Sequence, residues 1–193
     1  GGPESGLHRS EDGGESWTEL KSGLPNYAGK IGFTLSPQKP DILYASVELE
    51  KRKGAVYRSE DRGSSWKKMS DLSLGYGTGP HYYQELFASP HKFDRLYLMN
   101  VRILTSEDGG RTFVELTERA KHSDNHAIAF RDDDPNYLLV GTDAGIYESF
   151  DLAETWKYHK NLPITQFYKV AVNNAFPFYH IFGGTQDNGS AGG

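Results

Sequence analysis

The 193-residue sequence predicts an all-β fold made of repeated four-stranded antiparallel sheets, and three observations support this fold class. One octapeptide pattern, Ser-x-Asp-x-Gly-x-x-(Trp/Phe), occurs four times. A second column of apolar residues recurs with a similar period. The segments between these landmarks are short, apolar or alternating, and bounded by Pro, Gly and Asp, which is typical of β-strands.

The octapeptides give the period of the chain. They are SEDGGESW at 10–17, SEDRGSSW at 59–66, SEDGGRTF at 106–113 and a divergent copy, SFDLAETW, at 149–156. Their serines are spaced by 49, 47 and 43 residues. The second column places Tyr44, Tyr97, Leu139 and Ile181 at spacings of 53, 42 and 42. Both columns therefore define a unit of the size of a propeller blade.

Each unit contains four predicted strands, called a, b, c and d in chain order. In the first complete unit they cover residues 30–35, 42–47, 55–58 and 65–69, and the octapeptide forms the turn between c and d. Four such short strands cannot bury both faces of their sheet, so neighbouring sheets must stack around an axis. The sequence therefore predicts a β-propeller. Residues 1–193 form one segment, with complete blades at about 28–70, 80–118 and 124–160 and half-blades at 1–22 and 164–190.

We interpret the octapeptides as structural turns. The aspartate is expected to accept backbone N–H groups of its own turn, the glycine to adopt a positive φ, and the aromatic ring to pack between sheets. Because the same chemistry recurs in every unit, it cannot build one asymmetric active site. Ala153, at a glycine position, predicts a loosened fourth turn, and Phe113 in place of Trp is a milder change. The residues assigned to this structural role are Ser10, Asp12, Gly14, Trp17, Ser59, Asp61, Gly63, Trp66, Ser106, Asp108, Gly110, Phe113, Ser149, Asp151 and Trp156.

Composition excludes several classes of function. The net charge is −5, and the 21 basic and 26 acidic residues are interspersed, so no basic stripe predicts a nucleic-acid partner. No apolar run approaches the roughly 20 residues of a membrane span. The absence of cysteine excludes disulfides and thiolate metal sites. No motif predicts a cofactor.

The repeated octapeptides resemble those of the Asp-box, or BNR-repeat, propellers found in sialidases, xyloglucan-cleaving endoglucanases and sortilin-type receptor ectodomains. Residues 122–190, which begin HSDNHAIAFRDDDPNYLLVGT, are similar to large bacterial BNR-repeat glycosyl hydrolases and sortilin N-terminal (VPS10)-like proteins. The resemblance implies a secreted, periplasmic or cell-surface protein. It also implies longer chains, so we expect a segment whose partner is the rest of a larger propeller. The alternative is a four-bladed ring, in which residues 166–184 pair with residues 7–20.

Strand order places the octapeptides on one rim of the propeller and the d–a and b–c loops on the other. On that second rim, His122, Asp124 and His126 form H-x-D-x-H, whose alternate residues point the same way in an extended chain. Three interpretations stay open. Asp124 acts as a general acid or base with a second carboxylate, Asp143 or Asp187; the three side chains bind a metal ion; or they tie the loop to its neighbours by hydrogen bonds.

Two further groups on this rim are candidates for binding sugar. Gln186, Asp187 and Asn188 lie in the turn GTQDNG, where they either bind sugar hydroxyls or satisfy their own backbone. Tyr82, Tyr83 and Tyr168 either stack on sugar rings or serve as packing material.

These residues lead to two functional hypotheses. The first is a propeller that binds or cleaves polysaccharide, with Asp124 and Asp187 as catalytic carboxylates and His122, His126, Asp143, Gln186 and Asn188 as substrate contacts. Endoglucanase-like chemistry is favoured over sialidase chemistry, because the arginines predicted for this rim are scarce. The second hypothesis is a non-catalytic, sortilin-like propeller that binds protein or peptide, or a structural propeller.

Overall fold

The computed structural model describes residues 5–50, 53–73, 85–162, 165–185 and 189–193, and in them it shows five antiparallel sheets. The predicted fold class is confirmed: the second, third and fourth sheets are complete four-stranded blades, with a partial sheet on each side. No helix in these residues is long and apolar enough to cross a membrane.

The strands follow one another within each sheet in chain order. The first sheet holds β1 (Leu7–Arg9) and β2 (Thr18–Leu20). The second holds β3 (Ile31–Leu35), β4 (Leu43–Leu49), β5 (Lys53–Ser59) and β6 (Lys67–Ser73). The third holds β7 (Leu86–Ala88), β8 (Leu96–Leu98), β9 (Leu104–Ser106) and β10 (Val114–Glu115). The fourth holds β11 (Asn125–Arg131), β12 (Asp134–Thr142), β13 (Gly145–Ser149) and β14 (Lys157–Tyr158), and the fifth holds β15 (Phe167–Val172), β16 (Ile181–Thr185) and β17 (Ser190–Gly192).

The period-two alternation of the strands explains why neighbouring sheets stack. Along β4, Tyr44 packs toward the third sheet, whereas Ala45 and Val47 pack on the other face toward the first sheet. Along β8, Leu96 and Leu98 likewise face the second sheet. Both faces of the second blade are therefore apolar, and each of them is buried by a neighbouring sheet.

Three apolar clusters result, one between each pair of neighbouring sheets from the first to the fourth. Trp66 belongs to the cluster between the first and second sheets, where Leu7 and Leu24 pack against it. Phe113 packs on the cluster between the second and third sheets. Trp156 packs on the cluster between the third and fourth sheets. The aromatic residue of the last three octapeptides thus lies between sheets, as the sequence predicts. The prediction is wrong for the first octapeptide, because Trp17 is 62% exposed and belongs to none of the three clusters of the described residues.

Within each octapeptide, the serine and aspartate side chains bond to each other and to the backbone of their own turn. In the second, Ser59 Oγ donates to Asp61 Oδ1 at 2.8 Å, and the backbone N–H of Gly63 donates to Ser59 Oγ at 2.8 Å. The backbone N–H and the hydroxyl of Ser65 donate to the two oxygens of Asp61 at 2.8 and 2.6 Å. The same four bonds recur in the other three turns. Both carboxylate oxygens of each aspartate thus accept hydrogen bonds that stabilise the turn, which is a structural role.

The predicted loosening of the fourth octapeptide is wrong. Ala153 adopts φ +75° and still donates its N–H to Ser149 Oγ at 2.8 Å. Its methyl group is 1% exposed and packs in the cluster between the third and fourth sheets. Burial of this methyl offsets the strain of a left-handed alanine, so the turn keeps its hydrogen bonds without glycine.

The fifth sheet differs from the complete blades. It gains a third strand, β17, beyond the two that the sequence predicts. Its apolar side chains are exposed on both faces: Val170 at 59% and Val172 at 61% lie on one face, and Phe182 at 49% lies on the other. In the described residues, β15–β17 and β1–β2 form separate sheets. The sheets are thus not closed into the four-bladed ring considered above.

Candidate functional site

The fourth sheet brings two predicted site residues to one of its ends. Asn125 at the start of β11 pairs with Thr142 at the end of β12, and Thr142 pairs with Gly145 at the start of β13. Asp124 and Asp143 therefore lie at this end, because they adjoin those residues. The fourth octapeptide joins β13 to β14 at the opposite end of the sheet. We call the end that carries Asp124 and Asp143 the loop rim.

On the loop rim, three candidate residues of the fourth sheet come together. His126 Nε2 lies 2.6 Å from Asp143 Oδ1, within hydrogen-bond distance. The backbone N–H of Asp143 donates to the carbonyl oxygen of Asp124 at 3.2 Å. All three side chains are partly exposed, so a ligand arriving at this rim can reach them. This arrangement offers a carboxylate and an imidazole–carboxylate pair for proton transfer and for hydrogen bonds to hydroxyl groups.

Asp124 adopts a left-handed conformation with φ +59°. Its Oδ2 accepts a hydrogen bond from Ser123 Oγ at 2.8 Å and lies 3.9 Å from His122 Nδ1. His122 Nδ1 itself lies 2.8 Å from the carbonyl oxygen of Ser123. A non-glycine residue in this conformation is uncommon and persists where its surroundings hold it in place. His122 and His126 thus bond to different groups, and the part of the chain that the structure describes contains no cluster of three or more His, Cys, Asp or Glu that could hold a metal ion.

A buried polar network lies behind the loop of Asp124, and sequence reasoning missed it. The side chains of Lys121 and Glu118 are 0% and 1% exposed, and Lys121 Nζ lies 2.6 Å from Glu118 Oε1. Lys121 also donates to the carbonyl oxygen of His122 at 2.8 Å and to the amide oxygen of Asn125. Asn125 Nδ2 donates in turn to Glu118 Oε1 at 2.9 Å. These bonds fix both flanks of Asp124.

Burial lowers the pKa of Lys121 from its ordinary value, although the carboxylate of Glu118 partly opposes this effect. The ammonium group also lies 5.3 Å from the ring of Trp156 and 5.9 Å from that of Tyr147. Both rings come from residues far along the chain. The charges at 118 and 121 alone therefore gave no sign that this pair is buried.

A second feature missed from the sequence is an ion pair between the residues that directly precede the first strands of the second and third sheets. Lys30 Nζ lies 2.6 Å from Glu85 Oε1, and the backbone N–H of Lys30 donates to Glu48 Oε2 at 2.9 Å. The signal was present in the repeats: the residue directly before strand a is polar in every unit, namely Lys30, Glu85, Asp124 and Gln166. Equivalent positions in stacked sheets lie on the same rim.

One further predicted site residue is described outside this group, and five are not described. Tyr82, Tyr83, Gln186, Asp187 and Asn188 lie outside the described residues. Tyr168 lies on β15 and is 71% exposed. The structure thus groups Asp124, His126 and Asp143, with His122 close to Asp124, and these four residues form the candidate site.

The stacked four-stranded sheets and the octapeptide turns place the chain in the class of β-propeller proteins. A curated relative from Neosartorya fischeri, a probable oligoxyloglucan-reducing end-specific xyloglucanase, is 26% identical over 162 residues. That match covers 75% of this chain and 19% of the relative. No family model matches the chain.

Solved structures agree with this class. The GH74 enzyme of Niastella koreensis superposes with a TM-score of 0.62 at 17% identity, over 97% of this chain and 32% of that one. The GH74 xyloglucanase of Xanthomonas campestris gives a TM-score of 0.62 at 19% identity, with the same coverage of 97% and 32%. These likenesses show the fold. The chain spans about a third of the length of these enzymes.

Proposed function

We propose that the chain is a segment of a carbohydrate-active propeller that acts on polysaccharide in the manner of an endoglucanase-like glycoside hydrolase. The observation that carries this proposal is the grouping of Asp124, His126 and Asp143 on the loop rim, away from the octapeptides. The similarity to a xyloglucanase supports it. Xyloglucan and related β-glucans are therefore the substrates to test.

In this proposal Asp124 transfers a proton at the glycosidic oxygen, and Asp187 is the second carboxylate. A separation of about 5–5.5 Å between the two carboxyl groups would give retention of configuration, and about 6.5–9.5 Å would give inversion. His122, His126, Asp143, Gln186 and Asn188 bind sugar hydroxyls. Tyr82, Tyr83 and Tyr168 stack on sugar rings.

We further propose that residues 1–193 form a single propeller segment, divided into half-blades at 1–22 and 164–190 and blades at about 28–70, 80–118 and 124–160. The rest of a larger propeller is its partner. A secreted, periplasmic or cell-surface location follows from an activity on polysaccharide, because such polymers lie outside the cell.

The test is release of reducing ends from xyloglucan and a panel of other polysaccharides. We expect Asp124→Asn to lower the rate by about 100-fold or more, since general acid–base catalysis typically contributes that much. Asparagine adopts the left-handed conformation of residue 124 readily, so this change removes the charge and keeps the backbone.

Asp132→Asn is the matched control, because Asp132 is exposed and lies between β11 and β12, at the octapeptide end of the same sheet. Its rate should equal that of the wild type. Equal rates for Asp124→Asn and the wild type would refute the role of Asp124. The assay uses the intact protein that contains this segment, and no release from any substrate by that wild-type protein would refute the enzymatic function.

Protein binding is the second candidate function, and the exposed fifth sheet favours it. Phe176, Phe178 and Tyr179, in the turn between β15 and β16, are 97%, 82% and 62% exposed. Contiguous exposed apolar side chains mark surfaces that contact another protein or another domain. A sortilin-like propeller that binds peptide, or a structural propeller, would use such a surface, and it would show polypeptide binding without release of sugar.

A further inference from the structure

The main chain of Asp124 is bonded to two different strand connections. Its N–H donates to the carbonyl oxygen of Val101 at 2.9 Å, and its carbonyl oxygen accepts the N–H of Asp143 at 3.2 Å. Val101 lies between β8 and β9 of the third sheet, and Asp143 lies between β12 and β13 of the fourth. The side-chain amide of Asn125 also donates to the carbonyl oxygen of Val101 at 2.9 Å. Contacts with two sheets therefore place the residue that carries the candidate carboxylate.

Two left-handed residues bracket the segment that leads to Asp124. Ala120 adopts φ +60° and Asp124 adopts φ +59°, although neither is glycine. Such conformations are strained and persist where the surrounding structure holds them in place. Of the three residues between them, Lys121 is the buried one, with a side chain that is 0% exposed. The contacts of Lys121 are therefore the first place to look for what holds this segment.

The ammonium group of Lys121 uses its three N–H donors inside the protein. They donate to Glu118 Oε1 at 2.6 Å, to the carbonyl oxygen of His122 at 2.8 Å and to the amide oxygen of Asn125. The last two bonds hold residues on both sides of Asp124. Because the side chain is 0% exposed, the ammonium cannot contact a substrate. Any effect of Lys121 on a reaction at this rim must pass through the loop of Asp124.

Stability alone does not account for a buried ion pair at this place. The cost of removing two charges from water offsets their attraction, so apolar residues of similar volume often stabilise a protein as well as a buried pair does. An apolar side chain at position 121 could not, however, donate to the oxygens of His122 and Asn125. The distinctive contribution of the ammonium is therefore its two bonds to the flanks of Asp124.

We propose that Lys121 is a positioning residue for Asp124. Its bonds to residues 122 and 125 hold the left-handed backbone of Asp124 and thereby keep the carboxylate in one orientation at the loop rim. Precise placement matters, because moving a catalytic group by about 1 Å can lower a rate by about 100-fold. This inference rests on the proposed function, in which Asp124 transfers a proton, and it adds the group that sets the geometry of that transfer.

The double variant Lys121→Met with Glu118→Gln separates positioning from stability. It removes both buried charges, so it avoids the uncompensated carboxylate that Lys121→Met alone would leave. It also removes both bonds from the ammonium to residues 122 and 125. In the intact protein that contains this segment, we expect kcat on xyloglucan to fall by about 10–100-fold, while KM changes by less than about twofold. Its free energy of unfolding should fall less than that of Lys121→Met alone.

Arg58→Met is the matched control, because Arg58 is a cation of the second sheet with a side chain that is 11% exposed and an Nη1 that lies 3.3 Å from Asp94 Oδ1. This change should lower the free energy of unfolding, since it removes one member of a largely buried pair. It should leave kcat within about twofold of the wild type, because the pair lies away from the loop rim. A kcat that follows stability across these variants, or an unchanged kcat in the double variant, would overturn the proposal.

Amide exchange of the 193-residue chain tests the same inference without a substrate. The amides of Asp124 and Asp143 both donate within the candidate site, to the carbonyl oxygens of Val101 and Asp124. In the double variant we expect these two amides to exchange faster than in the wild type by about tenfold or more, with a smaller change at the amides of β4. Unchanged exchange of the two amides would overturn the positioning role even if the wild type cleaves polysaccharide. A wild type that cleaves no polysaccharide would refute the proposed reaction, whereas faster exchange of the two amides would still support the positioning of Asp124.

Discussion

Four aspartates, one in each octapeptide, are stabilised in their charged form by donors of their own turn. The hydroxyl and backbone N–H of Ser65, with the hydroxyl of Ser59, lower the pKa of Asp61 to about 2 from its ordinary 3.8. For Asp108, burial raises the pKa, but the donors of Thr112 outweigh this effect and bring the pKa to about 2. The pKa values of Asp12 and Asp151 are lowered for the same reason as that of Asp61.

These shifts predict how stability depends on pH. Because the folded pKa lies below the unfolded one, the contribution of each aspartate is complete above about pH 4 and is lost as the pH falls toward 2. We expect urea unfolding of the wild type to show a steep loss of stability across this window. The Asp61→Asn variant should have a lower free energy of unfolding than the wild type at pH 7, and this free energy should fall less than that of the wild type on acidification.

Glu15→Gln serves as the control for this measurement, because Glu15 is an exposed carboxylate of the first octapeptide that takes part in none of the four hydrogen bonds of the turn. It should follow the wild-type profile. An Asp61→Asn profile parallel to that of the wild type would contradict the assignment of acid sensitivity to these turns.

The structural role of these residues was readable from the sequence, because the four hydrogen bonds of the serine and aspartate side chains lie within eight residues. The role of Ala153 was not, since it depends on a core built from the third and fourth sheets. Of the candidate site, the nearness of Asp124 and Asp143 follows from loop order. The alternation expected of His122, Asp124 and His126 is wrong, because Asp124 adopts φ +59° and the stretch is not extended. The support by Lys121 and Glu118 depends on rings brought in by the fold, and no local pattern reveals it.

At the level of elements, the connection between β10 and β11 holds the buried pair that supports the candidate site. Removing one member of a buried ion pair leaves the other charge uncompensated, at a cost of about 3–5 kcal/mol. We expect Lys121→Met to destabilise the chain by that amount in urea unfolding. The double variant Lys121→Met with Glu118→Gln should lose less than the sum of the two single changes.

Lys157→Met is a suitable comparison for Lys121→Met. The side chain of Lys157 is 65% exposed, and its ammonium lies 3.3 Å from Glu148 Oε2. Exposed pairs of this kind contribute about 0–1 kcal/mol, so the loss should be small. Strict additivity of the two changes at 118 and 121 would show that the ammonium and carboxylate do not interact.

In the molecule as a whole, burial is concentrated in the second, third and fourth sheets. Tyr44, Leu98 and Val140, on the b strands of these sheets, are fully buried. The three apolar clusters contain no residue of β15–β17 among the residues described. Backbone hydrogen bonds between buried strands open only with the global unfolding of the molecule, whereas those of exposed sheets open locally.

Hydrogen exchange can check this distribution. We expect the amides of β4, β8 and β12 to exchange most slowly, and those of β1–β2 and β15–β17 to exchange faster by at least tenfold. Equal protection of β16 and β12 would contradict the picture and would indicate that the fifth sheet is covered in solution. Full coverage by a second copy would also make its protection depend on protein concentration.

The self-sufficiency of the octapeptide turn bears on how such a chain arises by tandem duplication. The serine and aspartate side chains form their hydrogen bonds with each other and with the backbone of their own turn. A duplicated repeat therefore keeps these bonds, and they need no compensating change in the other repeats. A duplicated repeat must only present side chains that pack against the apolar face of the preceding sheet. The number of repeats can therefore change during evolution. Selection for a ligand acts on the loops at the opposite end of the sheets, which take no part in the octapeptide turns.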